Sequence, residues 1–288
     1  MYALAGPLAF IIRPIYNFID NYGFTLIIVT ILIKLLTIPF TIKSQKNMAK
    51  TQMIQPEINR LQEKYKNDKN KLAIEMQKIY KEYDVNPMGG CLPLLIQMFI
   101  LFGFIGVIYH PFQYILQMSK EEISALAESL GHPSNTQEMY LWGLEGIKDN
   151  LKELGFGTIN FDFFGIDLTK IPKNDMYNLT VWIFPALATI ATYFSGYMTK
   201  VQQNAASGGK VNEQVQQTNN MMTTIMPIMT AVFTVTMPIG MSLYWFVSTA
   251  FQLIQQAIMN NTVNEKIKTQ VYEKQEELKL EKAKKKKR

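Results

Sequence analysis

Charge in this chain is confined to blocks, and the segments between the blocks are apolar enough and long enough to cross a membrane. No Asp, Glu, Lys or Arg occurs over 85–119, 176–199 or 214–264, and Phe24–Ile42 holds one charge, Lys34. About 20 apolar helical residues cover the ~30 Å of hydrocarbon in a bilayer. Within the last stretch, Met221–Met259 provides 39 residues, enough for two crossings with Pro238 and Gly240 as the turn. The pattern predicts five spans, at about 24–42, 90–109, 178–199, 221–237 and 240–260. Only 18% of the residues are charged, against roughly 25% in soluble domains. The expected fold class is therefore an all-α membrane protein.

The sign of the charged blocks predicts orientation. Segment 43–87 carries ten Lys/Arg and six Asp/Glu, 110–177 carries five and ten, and 265–288 carries ten and five. Lys/Arg-rich segments stay on the cytoplasmic side. Five spans then place 43–87, the 200–220 loop and the C-terminus inside, with the N-terminus and the outer segment 110–177 outside. The first apolar patch, Leu8–Ile12, is short, and Arg13-Pro14 follows it. Residues 1–21 thus read as an amphipathic segment on the outer surface rather than a cleavable signal. The single cysteine, Cys91, excludes an intramolecular disulfide and a thiolate metal cluster. No cofactor or catalytic constellation is expected.

A cation near the bilayer centre costs roughly 2.5–3.5 kcal/mol on insertion scales, so Lys34 is the leading candidate functional residue. Thr30, Lys34, Thr37 and Thr41 share one helix face at spacings of four and three. Thr189, Thr192, Ser195 and Thr199 line the third span, and Thr223, Pro227, Thr230 and Thr234 the fourth. Ser242, Trp245, Thr249, Gln252 and Gln256 line the fifth, and the second offers Gln97. The bland reading is that such hydroxyls satisfy helix contacts in lipid. Asp and Glu are absent from all five spans, so Lys34 is expected to need water, backbone carbonyls or a visiting anion. A hydrophilic groove among the spans meets that need.

Two classes of function fit a groove. One is a small-solute or ion transporter or channel; the other is a protein that gives polar polypeptide a place inside the membrane. Five spans do not divide into inverted repeats, and no Asp/Glu/His relay is present in them. A polypeptide crossing lipid carries backbone groups that cost several kcal/mol each when unsatisfied. The insertase class explains more of the pattern.

Between the first two predicted spans, Ile54, Ile58, Leu61 and Tyr65 repeat at helical spacing, as do Leu72, Met76, Ile79 and Tyr83, with Asn67-Asp68 between them. This predicts a cytoplasmic helical hairpin over 44–84, with Pro56 in the first turn of its helix. It is either a self-packed solvated hairpin or a docking arm whose stripe (Ile58, Leu61, Tyr65, Met76, Ile79, Tyr83) meets a partner. In the outer segment, Ser119-Lys-Glu-Glu122 is a capping box opening a short helix that Gly131 and Pro133 stop. The Phe-rich stretch 156–171 is expected to rest on the outer membrane surface. The tail 261–288 ends in KAKKKKR. Such a run is either disordered and solvated or docks electrostatically on phospholipid or ribosomal RNA.

These residues resemble the YidC membrane insertase family from about Ile15 to Asn260. The motifs that carry the resemblance are YGFTLIIVTILIKLLTIPF (22–40), MIQPEINRLQEKY (53–65) with IYKEYDVNPMGGCLPLLIQM (79–98), and GMSLYWFVSTAFQLIQQ (240–256). The resemblance implies a non-enzymatic insertase and chaperone of the bacterial plasma membrane, of the shorter Gram-positive type, with five spans around a polar groove. Its implied partners are nascent membrane proteins, ribosomes, the Sec translocon with its targeting machinery, and the lipid bilayer. It places Lys34 where the family has an arginine in the groove, and Gln97 and Trp245 in matching positions. Thr192 and Ser195 are its further candidates. Lysine keeps the charge but lacks arginine's planar five-donor fork. The proline common after the second-span glutamine is replaced by Met98-Phe99.

Overall fold

The computed structural model describes residues 4–86, 89, 92–206, 216–217, 220–262 and 264–286. The described chain is almost entirely helical; one antiparallel pair of two-residue strands, β1 (Asp162–Phe163) and β2 (Ile166–Asp167), is its sheet. Helices α1 (Ala5–Ile19), α2 (Tyr22–Lys64), α3 (Lys69–Glu82) and α4 (Leu92–Tyr109) form the first part of the chain. The short α5 (Pro111–Tyr114), α6 (Lys120–Ser129), α7 (Glu138–Trp142) and α8 (Ile147–Glu153) follow, then the strands. The last part holds α9 (Ile183–Ala206), a π-helical turn at Met221–Ile225, α10 (Met226–Thr236), α11 (Ile239–Thr262) and α12 (Asn264–Lys286).

Two of these elements, Tyr22–Lys64 and Leu179–Asn204, are long and apolar enough to cross a membrane. Only 28% of the most apolar window of the first and 33% of that of the second is buried. The core helix of a soluble domain would be mostly covered; here Leu36 (70% exposed), Phe40, Phe194 and Ile190 are exposed. Leu95–Tyr109 and Met221–Thr236 are apolar but shorter.

The chain divides into two compact units. Unit 1 comprises residues 1–35, 96–192 and 227–251. Its core is large and aromatic. Tyr22 meets Phe161 edge-on, Trp142 packs against both Phe161 and Phe112, and Phe104 lies 4.3 Å from Tyr244, centroid to centroid. One face of α1, including Leu8, Ile12 and Tyr16, is buried in this core, while Phe10 and Phe18 on the other side are exposed. Gly23 is required where α2 begins, because a Cβ there would lie 2.4 Å from the Phe163 ring.

In segment 156–171, Phe161, Phe163, Ile166 and Leu168 are buried in unit 1, while Phe164 is exposed. The reason is the β-turn pair: Phe163 and Ile166 face each other in register, and the backbone of Leu168 and Lys170 accepts N–H bonds from Gly240 and Ile239 at the start of α11. The turn before α11 is at Met237-Pro238, and Gly240 sits inside the helix, against Leu168, Leu26 and Tyr22. Ser119 does form the capping box with Glu122, and Gly131 (φ 76°) follows the end of α6 in a left-handed conformation.

Unit 2 comprises residues 36–95, 193–226 and 252–288. The hairpin is present, but its first arm is not a separate helix. α2 runs unbroken for 43 residues, so Pro56 lies inside a helix instead of in a first turn, as does Pro39. A proline inside a helix removes one N–H···O bond; the helix nonetheless continues for eight residues beyond Pro56, to Lys64. Asp68 caps α3 by accepting from Lys71 N–H at 3.0 Å. At the hairpin base, Asn47 clasps Asn86 in both directions: its Nδ2 donates to the Asn86 carbonyl (2.5 Å) and its Oδ1 accepts the Asn86 N–H (2.9 Å). The tail is helical, as α12, rather than an irregular polymer. Gly196 in α9 touches the Met222 backbone so closely that a Cβ would lie 2.3 Å from its carbonyl oxygen.

Candidate functional site

Lys34 is half-buried in α2, and its Nζ donates to Gln97 Oε1 of α4 at 2.9 Å. The Gln97 amide in turn donates through Nε2 to the Tyr244 hydroxyl (2.6 Å) and to Ser248 Oγ (3.5 Å), both on α11. Three helices of unit 1 thus meet at one polar relay: ammonium, amide, then hydroxyls. The sequence leaves Lys34 to water, backbone carbonyls or a visiting anion; the structure gives it a side-chain acceptor, Gln97. The reason is helix packing: Phe104 packs at a tilt against Tyr244, which carries the hydroxyl to Gln97, two helical turns before Phe104 on α4. Gln97 is a neutral acceptor, so it satisfies a donor without cancelling the charge. A charge-assisted bond of this kind is shorter and about twice as strong as a neutral one.

Tyr244 and Ser248 were not among the residues singled out from sequence. Ser248 is a helical neighbour of Tyr244 at +4, and both are buried. The usable signal is a buried-type hydroxyl pair on the fifth apolar stretch, one residue off the stripe formed by Trp245 and Thr249. Trp245 packs instead on Phe233 of α10, with ring centroids 5.4 Å apart.

The hydroxyl stripes are largely committed to backbone. Thr30 donates to the Leu26 carbonyl (2.6 Å), Thr192 to Ala188 (2.8 Å), Thr199 to Ser195 (2.9 Å) and Thr234 to Thr230 (2.8 Å). Ser242, fully buried, donates across to the Thr234 carbonyl at the α10–α11 turn. Hydroxyls bonded to the carbonyl four residues back satisfy themselves inside an apolar helix, which leaves their lone pairs as acceptors. Thr30, Gln97, Thr192, Ser242, Trp245 and Thr249 belong with Lys34 to unit 1, whereas Thr37, Ser195 and Gln252 belong to unit 2. Unit 2 has polar contacts of its own. Gln255 Nε2 donates to Thr41 Oγ1 at 2.5 Å, and Gln256 Nε2 to Thr199 Oγ1 and Gln202 Oε1, each at 3.3 Å.

In the hairpin, Ile58, Met76, Ile79 and Tyr83 join Ile54, Ala49 and Val85 in one apolar cluster. Leu61 and Tyr65 lie outside it, half-buried toward the tip; Lys64 and Lys71 sit over the Tyr65 ring at 5.2 and 5.5 Å. Tyr83 donates to Glu57 Oε1 at 2.7 Å. Burial, and next the Glu57 carboxylate, push the Tyr83 phenol well above the ordinary tyrosine range.

On the other unit, Glu138 is a buried carboxylate (4% exposed) that accepts the N–H of Phe112 (2.7 Å) and of Gln113 (3.1 Å) and lies 3.1 Å from His110 Nδ1. It ties α7 to the first turn of α5 and is structural. His132 packs edge-on against Tyr140. Among the described residues, no three His, Cys, Asp or Glu side chains gather as metal ligands would.

Residues 14–266 match the family described as 60Kd inner membrane protein. Among curated relatives, the chain is 32% identical over 265 residues to the membrane protein insertase YidC of Pelodictyon phaeoclathratiforme, covering 90% of this chain and 37% of the relative. Similarity to the proteins of that name from Chlorobaculum parvum (31% over 271 residues; 92% and 38% covered) and Prosthecochloris aestuarii (32% over 267; 91% and 38%) is of the same kind. The chain spans less than two-fifths of the length of these relatives. An apolar helical chain with a lysine relay inside it, matched from Pro14 to Lys266, belongs to the YidC membrane protein insertase family.

Proposed function

We propose that this chain is the insertase core of a bacterial plasma-membrane protein, non-enzymatic and free of cofactors. In this reading its five apolar segments cross the bilayer, with the N-terminus outside and the hairpin and C-terminus in the cytoplasm. Newly made membrane proteins are its clients. Their polar outer segments dwell beside Lys34 while their apolar helices partition into lipid along the uncovered faces of the spans. The hairpin and basic tail face the ribosome, the targeting machinery and the Sec translocon on the cytoplasmic side.

The observation that carries the reading is the Lys34–Gln97–Tyr244 relay inside an apolar helix layer. A carboxylate of a client approaching Lys34 gains a charge-assisted bond worth about 1.5–3 kcal/mol, and Gln97 holds the ammonium in place without competing as a counter-charge. Release follows because the client's apolar segment gains roughly 25 cal/mol for each Å² moved out of water.

The test is reconstitution of the purified chain with a single-span client that carries acidic residues in its outer segment. Lys34→Ala should cut insertion of that client about tenfold, the factor for ~1.4 kcal/mol, and Lys34→Arg should retain it. Full insertion by a folded Lys34→Ala protein would refute charge capture. Ion or solute flux through liposomes without any client would favour the transporter or channel reading instead.

A further inference from the structure

The loop that joins β1 to β2 has two residues, Phe164 and Gly165. Both have positive φ, 54° and 77°, as a two-residue hairpin loop that follows the strand twist requires. Glycine adopts such angles freely, and Asn or Asp tolerates them; a bulky side chain there is strained. Burial does not offset the strain, because Phe164 is 80% exposed, whereas its neighbour Phe163 fills the core. The chain thus holds an aromatic ring outward at a tip where Asn would sit with less strain. Strain of this kind persists where a residue has a task outside the packing of the fold.

The tip is fastened to the start of α2. Asn21 donates through Nδ2 to the Asp162 carbonyl at 2.7 Å and accepts the Phe24 N–H at 3.1 Å. The Tyr22 N–H donates to the Asn160 carbonyl at 2.9 Å. The Phe164 ring lies beside Phe24, with centroids 5.7 Å apart. Phe24 opens an exposed apolar stripe on α2, continued by Ile28, Ile31 and Leu35 at spacings of four, three and four. Phe164 adds one more ring to the end of that stripe, and all of these residues belong to unit 1. The exposed Asp162, whose carboxylate accepts the Gly165 N–H at 3.1 Å, limits how far the hairpin can enter hydrocarbon, since a carboxylate resists that transfer.

We propose that the Phe164 ring is a lipid anchor, seated at the headgroup–acyl boundary of the outer leaflet and holding the start of α2 at that level. Apolar and aromatic side chains favour this boundary, while charged neighbours stay in water. Ten residues separate Phe24 from Lys34, about 15 Å of helix axis at ~1.5 Å per residue and half of the roughly 30 Å hydrocarbon layer. The anchor therefore sets the Lys34–Gln97 pair at the level of the midplane, where a cation is most costly. This inference rests on the reading in which α2 crosses the bilayer.

The experiment uses the full chain in phosphatidylcholine nanodiscs, with 4-fluorophenylalanine in place of Phe164. Fluorine NMR relaxation is compared for lipids carrying a nitroxide on the headgroup, near the top of the acyl chain or at its end, and for a water-soluble nickel chelate. The top-of-chain nitroxide should relax the Phe164 probe several-fold more than the chain-end nitroxide or the chelate does. The same probe in place of Leu35 should respond most to the chain-end nitroxide. A Leu35 probe reached mainly by the chelate overturns the crossing of α2 and the anchor with it. With the Leu35 result as expected, a Phe164 probe reached mainly by the chelate overturns the anchor alone, because the ring is then in water. A Phe164 probe reached by neither lipid nor chelate also overturns it, because protein then covers the ring. In Phe164→Asn, which suits the turn, the Leu168 N–H that bonds the Phe161 carbonyl (3.1 Å) should stay protected from hydrogen exchange. Loss of that protection overturns the proposal, since Phe164 would then hold the hairpin together rather than meet lipid.

Discussion

Unit 1 and unit 2 are both helical, yet they are held by different means. Unit 1 buries large aromatic side chains completely: Tyr22, Tyr244, Phe104 and Phe112 are at or below 2% exposure. Its loops are fastened by a buried carboxylate and by backbone bonds from Gly240 and Ile239. Among the described residues, unit 2 has one small cluster on the hairpin, and α3 has no fully buried residue. A jigsaw of aromatics leaves few alternative packings; three helices that share single stripes can slide or separate. The relay that fixes Lys34 belongs to the first kind of packing, and the hairpin belongs to the second.

The largest test of this contrast is Phe161→Ala. Phe161 is 3% exposed and touches both Tyr22 and Trp142, so its loss should cost about 3–5 kcal/mol and lower the unfolding midpoint followed by Trp142 fluorescence. A small effect would mean that the aromatic core of unit 1 repacks as freely as unit 2. Next is Glu138→Ala, which leaves the N–H groups of Phe112 and Gln113 without their acceptor. About 3 kcal/mol is expected, since each buried unsatisfied group costs about 1–3; the same midpoint measures it. Ile58→Ala should cost about 2 kcal/mol, and hydrogen exchange should rise only in the hairpin and α12 while unit 1 stays protected. Spread of that loss into unit 1 would break the contrast.

The smallest effect is one of pH. The folded hairpin holds the Tyr83 phenol above its ordinary range, so it favours the protonated form. This contribution to stability is present below about pH 10, the unfolded tyrosine value, and declines as pH rises beyond it. Circular dichroism of the hairpin at alkaline pH should show a loss of helix that Tyr83→Phe reduces. An unchanged alkaline profile would place Tyr83 outside the energetic core of unit 2.

Much of the fold was legible because it follows from local pattern. Period-3.6 apolar stripes announced the hairpin and the Ser119 capping box its helix, since both are set by residues three or four apart. The continuity of α2 through Pro39 and Pro56 was not legible. Local rules place a proline at a helix start, and only packing of the long helix outweighs that preference. The helical tail was hidden for a related reason, because Val271 and Leu278 are too few to mark a stripe until a second stripe meets them.

For the candidate site, sequence alone determined that a cation sits in an apolar segment lacking any Asp or Glu, because composition is a property of the chain. It also marked Gln97 as the one polar residue of its segment. The tertiary structure decided that these two meet, and that Tyr244 and Ser248 rather than Trp245 and Thr249 complete the relay. The physical reason is rotation: a helix face is defined by sequence, but which face turns toward a neighbour is fixed by the large side chains around it. Here Phe104 against Tyr244 and Phe233 against Trp245 set the rotation of α11, and with it the partner of Lys34.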